Sequence, residues 1–284
     1  MTEPIIENVS DTALWVAVYR EQETARPDAL FRDPLASRLV GERGRQIEKQ
    51  MQGSQYAKWG VIIRTCIIDH FLQELVAQGV DTVINLGCGL DTRPYRLDLP
   101  PTLRWVEVDF PQIIQLKETR LAGEKPKCQL QRVSLDLTNS VLSQQFFTQM
   151  NSECKNAVIL TEGVIPYLTE QQVAGLAKSL RAQKNFRHWI VDYYSNMVMR
   201  HMNNRVRRRQ MKNAPFVFDP KDWFEFFRAQ GWRKNRIRYL AEESVARARS
   251  IPMPWWAHIL LFIFRSKNSQ ARQQYAGFVI LEPQ

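Results

Sequence analysis

From Asp81 onward the chain alternates short runs of β-branched and aromatic residues with longer amphipathic stretches. "DTVINLG" (81–87), "LRWVEVD" (103–109), "LQRVSLDL" (130–137), "NAVILTE" (156–162) and "RHWIVDYY" (187–194) read as strands, each bounded by turn or helix-start residues. "YAGFVILEP" (275–283) reads as a closing strand. Four of the first five carry an acid at or near their ends: Asp109, Asp136, Glu162 and Asp192, spaced 27, 26 and 30 residues apart. That spacing is one strand–helix unit. It predicts an α/β fold, a mostly parallel sheet with helices on both faces.

Helix starts fit this reading. Thr169 to Gln172 forms a capping box, with Thr at the N-cap and Gln at N3. Asp219-Pro220 offers an N-cap with proline at N1, and Gly231 stops the helix of "KDWFEFFRAQ". The first 80 residues read as mostly helical: Asp33-Pro34 begins one helix, and residues 58–79 form a longer one ending at Gly79. Apolar positions cover most of that helix's circumference, so it is expected to be buried on more than one side. Arg64 interrupts the apolar surface and needs an anion, from the protein or from a ligand.

Composition narrows the class. The 284 residues are 44% hydrophobic and 24% charged, ordinary globular values that permit a sizeable core. No basic start followed by an apolar run opens the chain, and the longest apolar patch, residues 254–264, is too short to span a bilayer. The expectation is a cytoplasmic protein. Cys66, Cys88, Cys128 and Cys154 are scattered, as are the four histidines, so neither a disulfide framework nor a metal site is expected. The net charge of +10 is uneven: residues 181–284 hold 20 Lys+Arg against 7 Asp+Glu. Such asymmetry fits an anionic partner or simply a solvated basic surface.

The loop "GCGLDTR" after the first strand raises the question of its ligand. A dinucleotide fingerprint needs a third glycine where Thr92 stands, and Asp91 would set a negative charge against pyrophosphate. A cationic ligand suits the loop better. S-adenosylmethionine (SAM) offers a sulfonium, an ammonium, a carboxylate, a ribose diol and an adenine, and each has a candidate partner. Gly87 and Gly89 would let the backbone approach the methionine part; Asp109, 22 residues after Gly87, would accept both ribose hydroxyls. Asp136 would accept from the adenine amine with Leu137 against the ring, Glu162 would face the ammonium, and Arg64 would pair with the carboxylate. An acid at a strand end also serves as a turn residue or helix cap. Recurrence in register on successive strands is what favours a ligand site.

"VINLGCGLDTRPYRL", "VEVDFPQII", "SLDLTNS" and "LTEGVIPYLTEQQV" resemble, in order and spacing, the motifs of the leucine carboxyl methyltransferase family, and residues 12–41 resemble the N-terminal helical segment of its bacterial branch. The resemblance runs from about Thr12 to Val173. It implies a Rossmann-like class I methyltransferase fold with a seven-stranded sheet and one antiparallel edge strand. It implies SAM as cofactor, held by Arg64, Gly87, Gly89, Asp91, Asp109, Asp136, Leu137 and Glu162, with Arg20 approaching the methionine end. The expected organisation is a single domain: an N-terminal helical segment (1–80), a SAM-binding core (81–194), a substrate-cap insertion (195–235), and closing strands with a C-terminal insertion (236–284).

The acceptor side is less defined. Tyr167, Tyr193 and Tyr194 follow strand ends near the expected methyl group, with packing at least as ready a role for each, and His201 lies in the region after the fifth strand. Tyr167, Tyr193 and His201 are the candidate substrate contacts, and His188, inside a strand, reads as a core histidine. No general base is named. The basic run 203–212 fits an acidic partner or a solvated helix face, and its lack of interleaved aromatics argues against nucleic acid. The tryptophan-rich stretches 223–232 and 254–264 read as core, dimer surface or pocket wall, and such an aromatic supply favours an apolar small-molecule substrate. The function expected is O-methylation of a small-molecule hydroxyl or carboxylate, polyketide-like by resemblance. A protein C-terminal carboxyl methyltransferase and a non-catalytic SAM- or nucleotide-binding partner are the alternatives.

Overall fold

A computed structural model describes residues 5–51, 54–203, 209–252 and 274–284. The basic run is therefore described only at its ends, and the tryptophan-rich patch 254–264 and most of the C-terminal insertion lie outside the described residues.

Three helices precede the sheet: α1 (Val9–Thr24), α2 (Ala36–Gln50) and α3 (Ser54–Ala77). Strands and helices then alternate as β1 (Thr82–Leu86), α4 (Arg93–Arg96), β2 (Arg104–Asp109), α5 (Pro111–Arg120), β3 (Gln129–Ser134), α6 (Ser140–Glu153), β4 (Ala157–Thr161), α7 (Glu170–Arg181) and β5 (Phe186–Tyr194). The chain closes with α8 (Asn196–Met202), α9 (Trp223–Ala229), β6 (Trp232–Tyr239), α10 (Leu240–Ala246) and β7 (Ala276–Pro283).

The seven strands lie in the order β3-β2-β1-β4-β5-β7-β6. All neighbouring pairs from β3 to β5 are parallel, whereas β7 runs antiparallel to both β5 and β6. The antiparallel strand thus sits one place inside the edge, not at it. The edge is β6, which straddles the expected boundary between the cap insertion (195–235) and the closing strands (236–284) and whose sequence "WRKNRIRY" is charged at half its positions. An edge strand tolerates that pattern, since charges there block pairing with another chain.

Side-chain alternation along the strands sorts the core into two layers. Ile84, Leu86, Ile159 and Val191 face α6, α7 and α9 through Phe147, Val173 and Phe227. Val83, Val158, Leu160 and Ile190 face α3 through Ile63, Ile67 and Phe71. Strands β1 and β4 are buried throughout, as expected for strands covered on both faces, and edge strand β3 is mostly open. The aromatics of 223–232 prove to be core: Trp223, Phe227 and Trp232 are buried, and the Trp232 indole donates to the Ala177 carbonyl at 2.9 Å.

Two expected helix starts shift. The cap of α9 is Asp222, whose carboxylate accepts from the Glu225 amide at 2.9 Å; Asp219 instead accepts from Asn196. The helix after Asp33-Pro34 begins at Ala36. The capping box at Thr169 and Gln172 is formed with both of its hydrogen bonds.

Candidate active site

In this strand order the connections diverge to either side of β1 and β4, which places a ligand crevice beyond their carboxyl ends. A cavity of about 980 Å³ opens there. It is lined by Asn85, Gly87, Gly89, Asp91 and Arg93 from β1 and the loop after it, by Asp109 and Phe110 after β2, and by Glu162 and Gly163 after β4. Arg20, Arg64, Asp136, Leu137, Tyr167 and His201 also reach its wall. Of the candidate cofactor and substrate residues, Tyr193 alone is absent from the lining. Its ring packs between Trp223, Phe224 and Tyr239, and the neighbouring Tyr194 faces the cavity instead. The reason is the period-2 alternation of β5, which turns adjacent side chains to opposite faces.

The loop is built by its glycines. Gly87 and Gly89 both have positive φ, +66° and +48°, a backbone that L side chains avoid. A Cβ on Gly87 would stand 2.5 Å from a Val164 methyl, and one on Gly89 would stand 3.1 Å from the Ala13 Cβ. The close approach is therefore first of all to protein. Gly87→Ala is expected to cost about 2 kcal/mol of stability, from strained φ and overlap together; a thermal-melt shift below 1 °C would show that the loop relaxes freely.

Asp109 ends β2 and turns back on this loop. Its Oδ2 accepts from the Gly89 amide and its Oδ1 from the Phe110 amide, both at 2.7 Å. Burial raises its pKa, opposed by these amides and by Lys117. Each oxygen keeps unused lone pairs, so two further hydroxyl donors can be accepted. Asp136 is exposed two residues beyond β3 and holds Thr138 through its amide (2.9 Å) and its hydroxyl (2.7 Å). Leu137, Leu135, Phe110 and Ile113 give this end of the cavity an apolar wall.

At the opposite end the charged groups meet one another. Arg64 Nε lies 2.8 Å from Glu162 Oε1. Arg93 Nη1 reaches both Glu162 Oε2 (2.7 Å) and Asp91 Oδ2 (2.8 Å), while its Nε holds Asp69 Oδ1 at 2.7 Å. Burial opposes ionisation of Glu162, but Arg93 and Arg64 outweigh it and hold the carboxyl below its usual range. Asp91 differs from the expectation of an acid turned toward the ligand: its oxygens take the Arg93 amide, the Arg93 guanidinium and the Asn85 amide nitrogen. It braces the loop, and its charge is neutralised within it. Arg20 has a similar part, pairing with Asp33 at 3.1 Å and donating to the Leu90 carbonyl at 2.6 Å.

The sequence reading missed Asn85 and Arg93. Asn85 stands two residues before Gly87, on the side of β1 that the loop extends, and its Oδ1 is buried without a hydrogen-bond partner. Arg93 was masked by its setting, between a loop and a proline, where an arginine usually reads as surface. A buried acceptor beside a carboxylate–guanidinium pair suits a ligand bearing both an ammonium and a carboxylate, and the free acceptor capacity of Asp109 suits a diol. The donor set fits SAM.

Comparison with known proteins agrees. A family model described as leucine carboxyl methyltransferase matches residues 13–181. The chain belongs to the leucine carboxyl methyltransferase family. A protein of Mycobacteroides abscessus, provisionally assigned to the SAM-dependent methyltransferases, is 30% identical over 266 residues, 81% of this chain and 86% of that protein. A similarly assigned protein of Saccharopolyspora erythraea is 31% identical over 180 residues, 61% of this chain and 62% of its own length. Among solved structures, a DUF574 family protein from Streptomyces avermitilis matches with a TM-score of 0.57 at 12% identity, covering 96% of this chain and 97% of that one. A provisionally assigned methyltransferase from Thermobifida fusca matches with a TM-score of 0.57 at 14% identity, covering 99% and 96%. These two likenesses speak for the fold, the Rossmann-like class I methyltransferase fold. As a member of this family the chain is a SAM-dependent methyltransferase, which sets aside the reading as a non-catalytic binding partner. Among the described residues no helix is long and apolar enough to cross a membrane.

Proposed function

We propose that this chain is an O-methyltransferase that uses SAM to methylate a hydroxyl or carboxylate of an apolar small molecule. The observation that supports the reading is one cavity lined by both polar and apolar groups. Polar groups from four strand ends line it along the sheet edge, and Trp15, Tyr56, Trp59, Met211 and Phe216 add an apolar, largely aromatic wall. At about 980 Å³ it lies at the top of the range of roughly 300–1,000 Å³ for small-ligand sites, room for a cofactor and an acceptor side by side.

In this reading Asp109 holds the ribose hydroxyls, and Asp136 with Leu137 the adenine. Glu162, Asn85 and Arg64 hold the amino-acid end. Gly87 and Gly89 shape the floor beneath it. When bound, SAM supplies an electrophilic methyl group on a sulfonium. The protein's own part is alignment and dryness: the charged cluster fixes one reactant, and the aromatic wall orients the other while excluding water. Tyr167 and His201, which also line the cavity, are assigned to the acceptor in this reading.

Calorimetric titration with SAM and with its demethylated product tests the cofactor assignment. Micromolar binding is expected, and Asp109→Ala should weaken it about a hundredfold, or about 2.7 kcal/mol. No binding by folded wild-type protein would sink the assignment. Acceptors are then separated by class. Turnover on phenols and aromatic acids supports the proposal, whereas methylation of a peptide ending in a free carboxylate, abolished by amidation, would move the acceptor from small molecule to protein.

A further inference from the structure

We infer that Arg93 is a positioning residue for cofactor binding, acting through Glu162 and Asp91; the inference rests on the cofactor site proposed above. The side chain is 2% exposed and makes three ion-paired contacts to three different elements: Asp69 on α3, Asp91 in the loop after β1, and Glu162 after β4. No other described guanidinium joins both the loop and the end of β4. Only a planar fork can do this, because its donors leave in fixed, divergent directions, whereas an ammonium is a point.

The charge count explains why the fork matters. The buried cluster holds three guanidinium groups, Arg64, Arg93 and Arg96, against Asp69, Asp91 and Glu162; Arg96 is taken by Asp69 through two bonds of 2.7 Å. Arg93 is the largest neutralising partner of Asp91, ahead of Lys117 on α5 and Arg20 on α1, and it shares Glu162 with Arg64. Without it, Asp91 and Glu162 would face each other with Arg64 paired to Glu162 alone and with only the charges of Lys117 and Arg20, neither ion-paired with it, acting on Asp91. The two carboxyls would then take up a proton more readily. Glu162 faces Arg64 from α3, Arg93 from α4, Asp91 from the loop, and Asp192 and Tyr194 from β5. With Arg93 present, Glu162 stays an ionised acceptor with fixed direction, available to a ligand ammonium.

The test is SAM affinity measured from pH 5.5 to 7, below the titration of the ligand's own amine, for wild type, Arg93→Lys, Arg93→Met and the Arg93→Met/Glu162→Gln double variant. Circular dichroism on each sample confirms folding. Relative to wild type, Arg93→Met should bind at least tenfold more weakly at pH 5.5 and recover as pH rises; Arg93→Lys should fall between. In the double variant the added pH dependence should vanish while binding stays weak. An affinity loss with an unchanged pH profile would reduce Arg93 to a structural brace and overturn the inference, as would unchanged binding. Should Arg93→Met fail to fold, the Lys variant carries the same pH comparison. A wild type that binds no SAM at any pH would instead refute the cofactor site, a result distinct from these.

Discussion

Glu107→Gln is expected to destabilise the protein by about 4 kcal/mol, with Lys117→Met close behind at about 3 kcal/mol. Glu107 on β2 is fully buried and pairs with two cations, Lys117 Nζ at 2.7 Å and Arg132 Nε at 3.0 Å. Lys117, on α5, is equally buried. Burial works against its ammonium, but the Glu107 and Asp91 carboxylates hold it protonated. Removing the glutamate's charge leaves Lys117 in the interior, and the partly buried Arg132, without their shared carboxylate. Removing the lysine strands one carboxylate that still has Arg132, so the second loss should be smaller. An internal control is Arg228→Ala at the exposed pair with Glu225, where both side chains are more than half open to solvent and the unfolding midpoint should barely move. Urea unfolding of the four proteins measures all of this. Equal, small losses at Glu107 and Arg228 would mean that water reaches the interior pair. The pair matters to function through its place: Lys117 also lies 3.7 Å from Cys88 Sγ, beneath the loop that carries Gly87 and Gly89.

The apolar runs made β1, β2, β4, β5 and β7 legible, each within a few residues of its observed bounds, because strands covered on both faces need Val, Ile and Leu, while the open edge strand β3 was legible from its place in the strand–helix spacing. Strand β6 was not legible: an edge strand with Arg233, Lys234, Arg236 and Arg238 lacks that signature, and only its hydrogen bonds to β7 define it. The candidate site divides in the same manner. Asp109 and the glycines could be placed from spacing along successive strands, since the fold brings all strand ends to one edge. What those residues touch could not be. Asp91 was expected to face a ligand, yet its partner is two residues away in sequence, and the fold decides that Arg93 turns inward to meet it. Tyr193 and Tyr194 differ by one step on β5, and one step on a strand exchanges cavity for core.

Asp192→Asn should stabilise the protein by about 3–4 kcal/mol at pH 8 and by almost nothing at pH 4. Asp192 lies on β5, 2% exposed, where its carboxylate accepts from the Gly163 amide at 2.9 and 3.2 Å. Across the β7 register it meets the apolar Phe278. Burial pushes its pKa up to about 7, against the pull of Arg64 and the Gly163 amide, with Glu162 adding to the rise. The unfolded carboxyl titrates near its ordinary value of about 3.9. Between those two values the folded state holds a proton that the unfolded state has lost, so stability falls as pH rises through this window and levels off above it. Three pKa units at about 1.36 kcal/mol each set the size. Asparagine keeps an acceptor for the Gly163 amide and has no proton to lose, so the difference between variant and wild type isolates this one group from every other acid in the molecule. Denaturant midpoints at several values from pH 4 to 8 would follow it. A variant less stable by a constant amount at every pH would show that Arg64 already holds Asp192 ionised in the fold. The expected slope carries a functional consequence: burial brings the titration of this acid toward neutral pH beside Arg64. A cofactor carboxylate docking on that guanidinium would then draw a proton onto Asp192 from the solvent.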